Sequence, residues 1–467
     1  MSKREYSAFI KGKAKVAPSA GFACGDLPAT LFSYQRDLVR WACRRGRAAL
    51  FADTGLGKSR MQVAWASQVH AHTASPVLIL APLAVAEQTR REGAAIGVDI
   101  THLHNGDEHI AGVCVVNYER LHRVDVSRFS GVVLDESSIL KHHDSKTRGA
   151  LIESFRNTPY RLACTATPAP NDLEELGNHC EFLGICSRIE MLAEFFCHDG
   201  GETQTWRLKG HARDAFWRWL CSWAAVIRKP SDLGDDDSKH VLPPLRVHEH
   251  MVEDASGFAH AQGVLFTESL GLSQARAAGK ATLEARVRKT AELVAGEPSE
   301  PWLIWCETNT ESSMLASAIS GAVEIVGSDK AEAKEQALDG FTSGRIRVLV
   351  TKPSIAGFGL NFQHCARMAF VGLSYSFESY YQAVRRCWRF GQSRAVDAHI
   401  ITSDIEGSVL ATIKRKQSQA IEVAEQMSVY TREHVQREVR GAIRETNTYN
   451  PMKTMTLPSW LRSEVAA

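Results

Sequence analysis

Residues 48–59 read Ala-Ala-Leu-Phe-Ala-Asp-Thr-Gly-Leu-Gly-Lys-Ser, an apolar run, a loop with two glycines, and the opening of a helical stretch. Few folds accommodate that order. The apolar run Ala48–Ala52 suits a buried strand, and Ser59–His70 suits a helix. The glycines between them let the backbone curl until several N–H groups face one point, where the helix dipole adds partial positive charge. Such a loop holds a phosphate chain. Lys58 is expected to reach the outer phosphates, with Thr54, Gly55, Leu56, Gly57 and Ser59 completing the cradle and the Ser59 hydroxyl available to Mg²⁺.

The surrounding pattern extends the same unit. Val77–Ala81, Val113–Asn117, Val132–Asp135 and Arg161–Thr165 read as short strands, with helices expected at Ala84–Ala95 and Lys146–Arg156. Alternating strands and helices imply a parallel sheet covered on both faces. From Pro301 the pattern repeats, with strands expected at Leu303–Cys306, Val323–Val326, Val348–Thr351, Met368–Val371 and Ala398–Ile401. The fold class is therefore α/β: two parallel-sheet lobes in tandem. The expected division is an N-terminal arm over 1–30, a first lobe over 31–170, a helical insertion and linker over 171–300, a second lobe over 301–404, and a C-terminal helix and tail over 405–467. The insertion carries four of the ten tryptophans and an acidic loop, Ser231–Lys239, expected to be flexible.

Composition narrows the class further. A chain of 467 residues, 44% hydrophobic and 23% charged, fits a protein of roughly two to four domains. It lacks the run of about 18 apolar residues that a membrane span requires. Eleven cysteines spread along the chain argue for a reducing cytoplasm over a disulfide framework. A net charge of +2 does not by itself announce a nucleic-acid binder.

Two further segments carry chemistry. Gly131-Val-Val-Leu-Asp135-Glu136 ends an apolar strand in adjacent carboxylates, which is costly unless they meet a cation or a proton-transfer task. Asp135 suits a Mg²⁺ contact and Glu136 the base that orients an attacking water. In Gln382-Ala-Val-Arg385-Arg386-Cys-Trp-Arg389, helical spacing puts Gln382, Arg386 and Arg389 on one stripe and Arg385 on a neighbouring face. Guanidinium groups on one stripe could stabilise charge on a transferring phosphoryl group. Arg213, Trp217, Arg218 and Arg228 lie off the apolar stripe of their helix and are weaker candidates for a phosphate backbone.

Taken together, these segments resemble superfamily-two helicases, and most closely the Swi/Snf-type DNA translocases, in the family's order over about residues 31–402. The resemblance assigns Gln35 to adenine, 52–59 to the phosphate motif, Asp135-Glu136-Ser137-Ser138 to the Asp-Glu box, and Thr165-Ala-Thr167-Pro to the coupling motif. Ala356-Gly357-Phe-Gly-Leu-Asn361 matches the family's Gly-x-Gly-Leu-Asn motif. It places Gly357 at the nucleotide, and Asn361 and Gln382 toward coupling or nucleic acid. Arg386 and Arg389 then form the finger pair. The box departs from the pattern by ending Ser-Ser, which leaves open how it reaches the coupling motif. What the resemblance implies is that the two lobes are RecA-like and that the chain is an ATP- and Mg²⁺-dependent motor on DNA, duplex and bound without sequence preference. The alternatives are an ATP-gated DNA clamp without processive movement, or an RNA helicase. It points to the cytoplasm of a bacterial or phage-infected cell, with any nuclease or replication partner unidentified.

Overall fold

The structure, a computed structural model, describes residues 19–82, 85–103, 109–141, 145–170, 172–199, 202–252, 282–356, 361–374, 376–403 and 407–439. The first lobe opens with α1 (Ser33–Arg45), β1 (Arg47–Ala52), α2 (Lys58–Thr73), β2 (Val77–Ala81) and α3 (Ala86–Ala95). It continues through β3 (Ile100–His102), β4 (Val113–Asn117), β5 (Gly131–Asp135), α4 (Lys146–Ser154) and β6 (Tyr160–Cys164). Its strands run in the order β3-β4-β2-β5-β6-β1, every pairing parallel. Parallel pairing puts all the strand C-termini on one edge, so the cradle after β1, the carboxylates after β5 and the threonines after β6 converge. β2, β4 and β5 are buried along their whole length, as expected of strands covered on both faces.

The stretch 171–300 is not helical throughout, contrary to expectation. It holds α5 (Leu176–Leu183), α6 (Arg188–Phe195), the antiparallel hairpin β7 (Phe196–Asp199) and β8 (Glu202–Leu208), and α7 (Arg213–Cys221). It also gives a strand to each sheet. β9 (Ala224–Ile227) pairs with β1, Ala49 opposite Ala224, and ends the first sheet. β10 (Leu245–Val252) pairs with the last strand of the second sheet. Four apolar residues after a tryptophan-rich helix look like a continuation of that helix, and only pairing with β1 makes them a strand. The helix expected from Gly257 lies largely outside the described residues, its final part being α8 (Leu283–Gly296).

The second lobe runs through β11 (Trp302–Cys306), α9 (Asn309–Ala318), β12 (Ala322–Glu324), α10 (Ala331–Thr342), β13 (Val348–Thr351) and β14 (Arg367–Val371). α11 (Phe377–Cys387) and β15 (Val396–Ser403) complete it. Its sheet order is β10-β15-β14-β11-β13-β12, again parallel.

The C-terminal helix, α12 (Gly407–Val439), starts on the second lobe, where Val409 and Ile413 pack on Phe377. It then returns to the first lobe. Met427 enters one core cluster of that lobe and Val435 another. The Thr431 hydroxyl accepts a hydrogen bond from the Val226 N–H at 3.0 Å, satisfying an amide of the edge strand β9. The same helix changes the reading of the weaker basic candidates. Arg213 pairs with Glu422 at 3.3 Å, Arg228 pairs with Glu425 at 3.1 Å, and Trp217 is buried.

Candidate functional site

Each arm of the site is set by its local sequence. Gly55 and Gly57 take φ +89° and +77°, a region open to glycine at little cost. A Cβ on Gly57 would also stand 2.3 Å from the Gln35 amide nitrogen. Gly57 is the N-cap of α2, so the loop feeds directly into the positive end of a 16-residue helix. Lys58 opens that helix and folds back over the loop, its Nζ donating to the Ala52 carbonyl at 2.9 Å. Burial pushes the Lys58 ammonium below its ordinary pKa, and the nearby carboxylates of Glu136, Asp53 and Asp135 oppose that shift.

Gln35 lies under the loop. Its side-chain oxygen accepts from the Phe32 N–H at 3.0 Å and its nitrogen donates to the Leu56 carbonyl at 2.9 Å. Tyr34 donates to the same carbonyl at 3.1 Å. Phe32, His240 and Phe390 add aromatic walls, with His240 5.3 Å from Phe32 and 5.0 Å from Phe390 between ring centroids. His240 directly follows the acidic segment Ser231–Lys239, expected to be a flexible loop. That segment is instead two short 3₁₀ turns, Pro230–Leu233 and Ser238–His240, with Asp235 bonded to Ser33 and Asp237 accepting from the Ser231 N–H at 2.7 Å.

Asp135 and Glu136 are both held uncharged more readily than ordinary carboxylates. Burial is the main cause for each, opposed for Asp135 first by a hydrogen bond from Gln62 at 2.7 Å and then by Lys58. Glu136 is pushed up to about 7. It also sits at φ 54°, which a residue with a side chain adopts only at a cost. Thr165 donates to Glu136 Oε2 at 3.3 Å, and the Thr165 hydroxyl accepts from the Thr167 N–H at 3.1 Å. The box therefore reaches Thr165 and Thr167 through Glu136 itself. Ser137 turns the other way, to a buried neutral His179 at 3.1 Å. Burial holds that imidazole down at about 4.

The opposite wall belongs to the second lobe. Arg386, Arg389, Asn361 and Phe390 face Lys58, Ser59, Asp135 and Glu136 across a cleft of about 240 Å³. Arg386 is buried, its guanidinium hydrogen-bonded to the Gln382 carbonyl at 3.0 Å and the Gln382 side-chain oxygen at 2.8 Å. Gln382 is thus interior, beneath Arg386, and presents no surface to a nucleic acid. Arg389 is not on the helix with Arg386. α11 stops at Cys387, Trp388 leaves helical geometry with its indole bonded to the Pro243 carbonyl at 2.7 Å, and Gly391 turns the chain at φ +90°. Gly357 lies outside the described residues.

Four residues that sequence reasoning did not assign take part. Gln62 steadies Asp135 and lies one helical turn beyond Lys58, a spacing that could have marked it. Glu378 joins the lobes, accepting from Thr167 at 3.4 Å and pairing with Lys141 of the first lobe. Tyr381 and Arg385 reach the cradle at Asp53 and Thr54.

Two parallel sheets with a phosphate cradle and acidic pair on one, and the buried Arg386 with the part-buried Arg389 facing them from the other, define a two-lobed P-loop ATPase with a composite site. Residues 34–195 match the SNF2-related domain and residues 285–391 match the helicase conserved C-terminal domain. Those two spans together exceed half of the chain, which belongs to the SNF2-related, helicase-like ATPases and is an ATP-hydrolysing enzyme. No curated protein matches its sequence. Among solved structures it is similar to the Sulfolobus solfataricus SWI2/SNF2 ATPase core in complex with dsDNA, at 18% identity over 90% of this chain and 99% of that one, with a TM-score of 0.41.

The donor set suits Mg²⁺. A hydroxyl at Ser59 and the Asp135 carboxylate line the cleft with Glu136. Burial leaves both acids short of compensating charge, which a divalent cation supplies. Mg²⁺ takes few protein ligands and keeps water and phosphate oxygens, so a set this sparse is appropriate.

Proposed function

We propose that the chain is a motor that couples ATP hydrolysis to movement along duplex DNA without reading its sequence. The observation that carries this is the relay Glu136–Thr165–Thr167–Glu378. It runs from the carboxylate at the γ-phosphate end of the cleft to the helix of the second lobe that bears Arg386. A nucleotide store or simple hydrolase has no need of such a connection. A motor does, because a change at the phosphate must alter how two lobes sit on a track. The SNF2-related match of the first lobe supports DNA as that track, and duplex DNA is the form proposed here. Contacts to a phosphate backbone position a protein without specifying bases, so binding should be salt-sensitive and sequence-tolerant.

In this reading Phe32 and His240, with Gln35, receive the adenine end, and the loop 54–59 receives the phosphates. Lys58, now bonded to the Ala52 carbonyl, would reach the outer phosphates, and Ser59 and Asp135 would hold Mg²⁺, whose charge would neutralise phosphate charge there. Glu136, freed of its proton, orients water while Arg386 and Arg389 face the leaving charge. The test is ATPase turnover with no nucleic acid, single-stranded DNA, duplex DNA and RNA. Duplex DNA should stimulate most, and Lys58→Ala, Glu136→Gln and Arg389→Ala should each abolish that stimulated turnover. Retained turnover in all three would overturn the proposal. Stronger stimulation by RNA would move the track, and DNA affinity gated by ATP without stimulated turnover would make the chain a clamp.

A further inference from the structure

Arg385 and Arg386 are neighbours on α11, both almost fully buried, yet they face different partners. Arg386 is turned back on its own helix at Gln382. Arg385 crosses the cleft. Its Nη2 donates to the Thr54 carbonyl at 2.8 Å and pairs with Asp53 Oδ1 at 3.0 Å, while its Nε bonds the Thr54 hydroxyl. One turn earlier, Tyr381 donates its hydroxyl to the same Asp53 oxygen. That oxygen also accepts from the Thr54 N–H at 2.6 Å, so one carboxylate atom ties the cradle loop to itself and to the other lobe. Trp388 stacks on the Arg385 guanidinium at 4.9 Å. Phe390 closes the arrangement, so near Gly55 that a Cβ there would lie 3.0 Å from the Phe390 Cβ.

We propose that Arg385 and Tyr381 form a clasp on Asp53 and Thr54 that seats α11 against the phosphate loop. They are positioning residues for hydrolysis, fixing where Arg386 and Arg389 stand relative to Lys58 and Glu136. The clasp is made of protein atoms alone, and its geometry suits the task. A planar guanidinium fork with several fixed donors sets orientation as well as distance, which a lysine ammonium cannot do. The clasp grips Asp53 and Thr54 at the start of the cradle, ahead of Gly55 and Gly57, and so holds the loop at its entry. Rearrangement of Thr54 or Asp53 on phosphate binding is then transmitted directly to the helix that carries Arg386. A one-ångström misplacement of a group that acts only in the transition state lowers turnover far more than substrate binding.

This inference rests on the reading of the cleft as the site of ATP hydrolysis, and the experiment separates the two. Steady-state ATPase with saturating duplex DNA is measured for the wild type, Arg385→Ala, Arg385→Lys, Asp53→Asn, Tyr381→Phe and the double variant Arg385→Ala/Asp53→Asn. Thermal melting is recorded for each. The expected result is a kcat about tenfold or more below wild type for Arg385→Ala and Asp53→Asn, with KM for ATP changed by no more than about threefold. Tyr381→Phe should lose less, Arg385→Lys should recover part of the loss, and the double variant should be no worse than the poorer single one. A purely structural role would lower melting temperature and active fraction without that pattern of partial rescue and non-additivity. Additive losses, or an Arg385→Ala variant with wild-type kcat, would overturn the clasp. If Arg385→Ala does not fold, Asp53→Asn and Tyr381→Phe decide the question. A wild-type protein with no ATP turnover would instead sink the functional reading itself.

Discussion

The Thr165 hydroxyl stands 3.3 Å from Glu136 Oε2 and so joins the end of β6 to the carboxylate that follows β5. Because that hydroxyl also receives the Thr167 N–H, its proton is directed at the carboxylate. Thr165→Val keeps the shape and removes the hydrogen bond. Hydrogen bonds to charged groups are worth about 1.5–3 kcal/mol, so kcat should fall about 10- to 100-fold. Nucleotide affinity, measured by titration of a fluorescent ATP analogue, should stay near wild type, and an unchanged kcat would remove Thr165 from the mechanism.

Glu136 titrates at about 7 because burial penalises its charge. A folded pKa above the unfolded one means that stability is lost as pH rises from about 4.5 through 7. Glu136→Gln should therefore melt a few degrees higher than wild type at pH 8 and no higher near pH 4.5, while being inactive at both. Turnover of the wild type should rise as pH passes through about 7 and Glu136, the proposed base, loses its proton. Equal melting temperatures at pH 8 would show that the carboxylate bears no such penalty.

At the second sheet's edge, His399 stacks with His248 and His250 at centroid distances of 4.8 and 5.2 Å. Burial, then the neighbouring histidines, hold His399 down to about 4, against the opposing charge of Asp397 and with Arg367 adding to the depression. Here the unfolded chain binds the proton first, so stability should decline as pH falls from about 6.5 to 4, by about 1–3 kcal/mol. His399→Phe should flatten urea-denaturation midpoints between pH 7 and 5. An unaltered slope would place the acid sensitivity elsewhere, with His179 the next candidate.

Met427 on α12 is 1% exposed and buried in the core of the first lobe, although its helix starts on the second. Met427→Ala should cost about 2–5 kcal/mol, as for other long apolar side chains removed from a packed core. Calorimetry should show the loss in the transition of the first lobe. A shift confined to a separate second-lobe transition would contradict the packing.

Strand and helix positions were legible wherever an apolar run was bounded by turn residues. Val77–Ala81 and Val113–Asn117 fall where periodicity puts them, and Lys146 starts its helix as expected. β9 and β10 were not legible. β9 is four residues long after a helix of similar composition, and β10 is an edge strand with no fully buried residue and a central His-Glu-His run, so neither carries a clear periodic signal. Helical spacing also extended the arginine stripe to Arg389, but the chain leaves the helix at Trp388.

The sequence alone determined the chemistry available, because a glycine loop before Lys58 and two acids after an apolar strand each have few uses. It could not determine which arginine meets which partner. Arg385 and Arg386 differ by one position, and their opposite assignments follow from how α11 docks across the cleft. That docking depends on contacts between residues more than 300 positions apart, such as Tyr381 with Asp53. Local pattern reports which face of an element is apolar. Only the packed tertiary structure fixes the distances at which buried charges meet, and those distances decide which residues hold the site and which act in it.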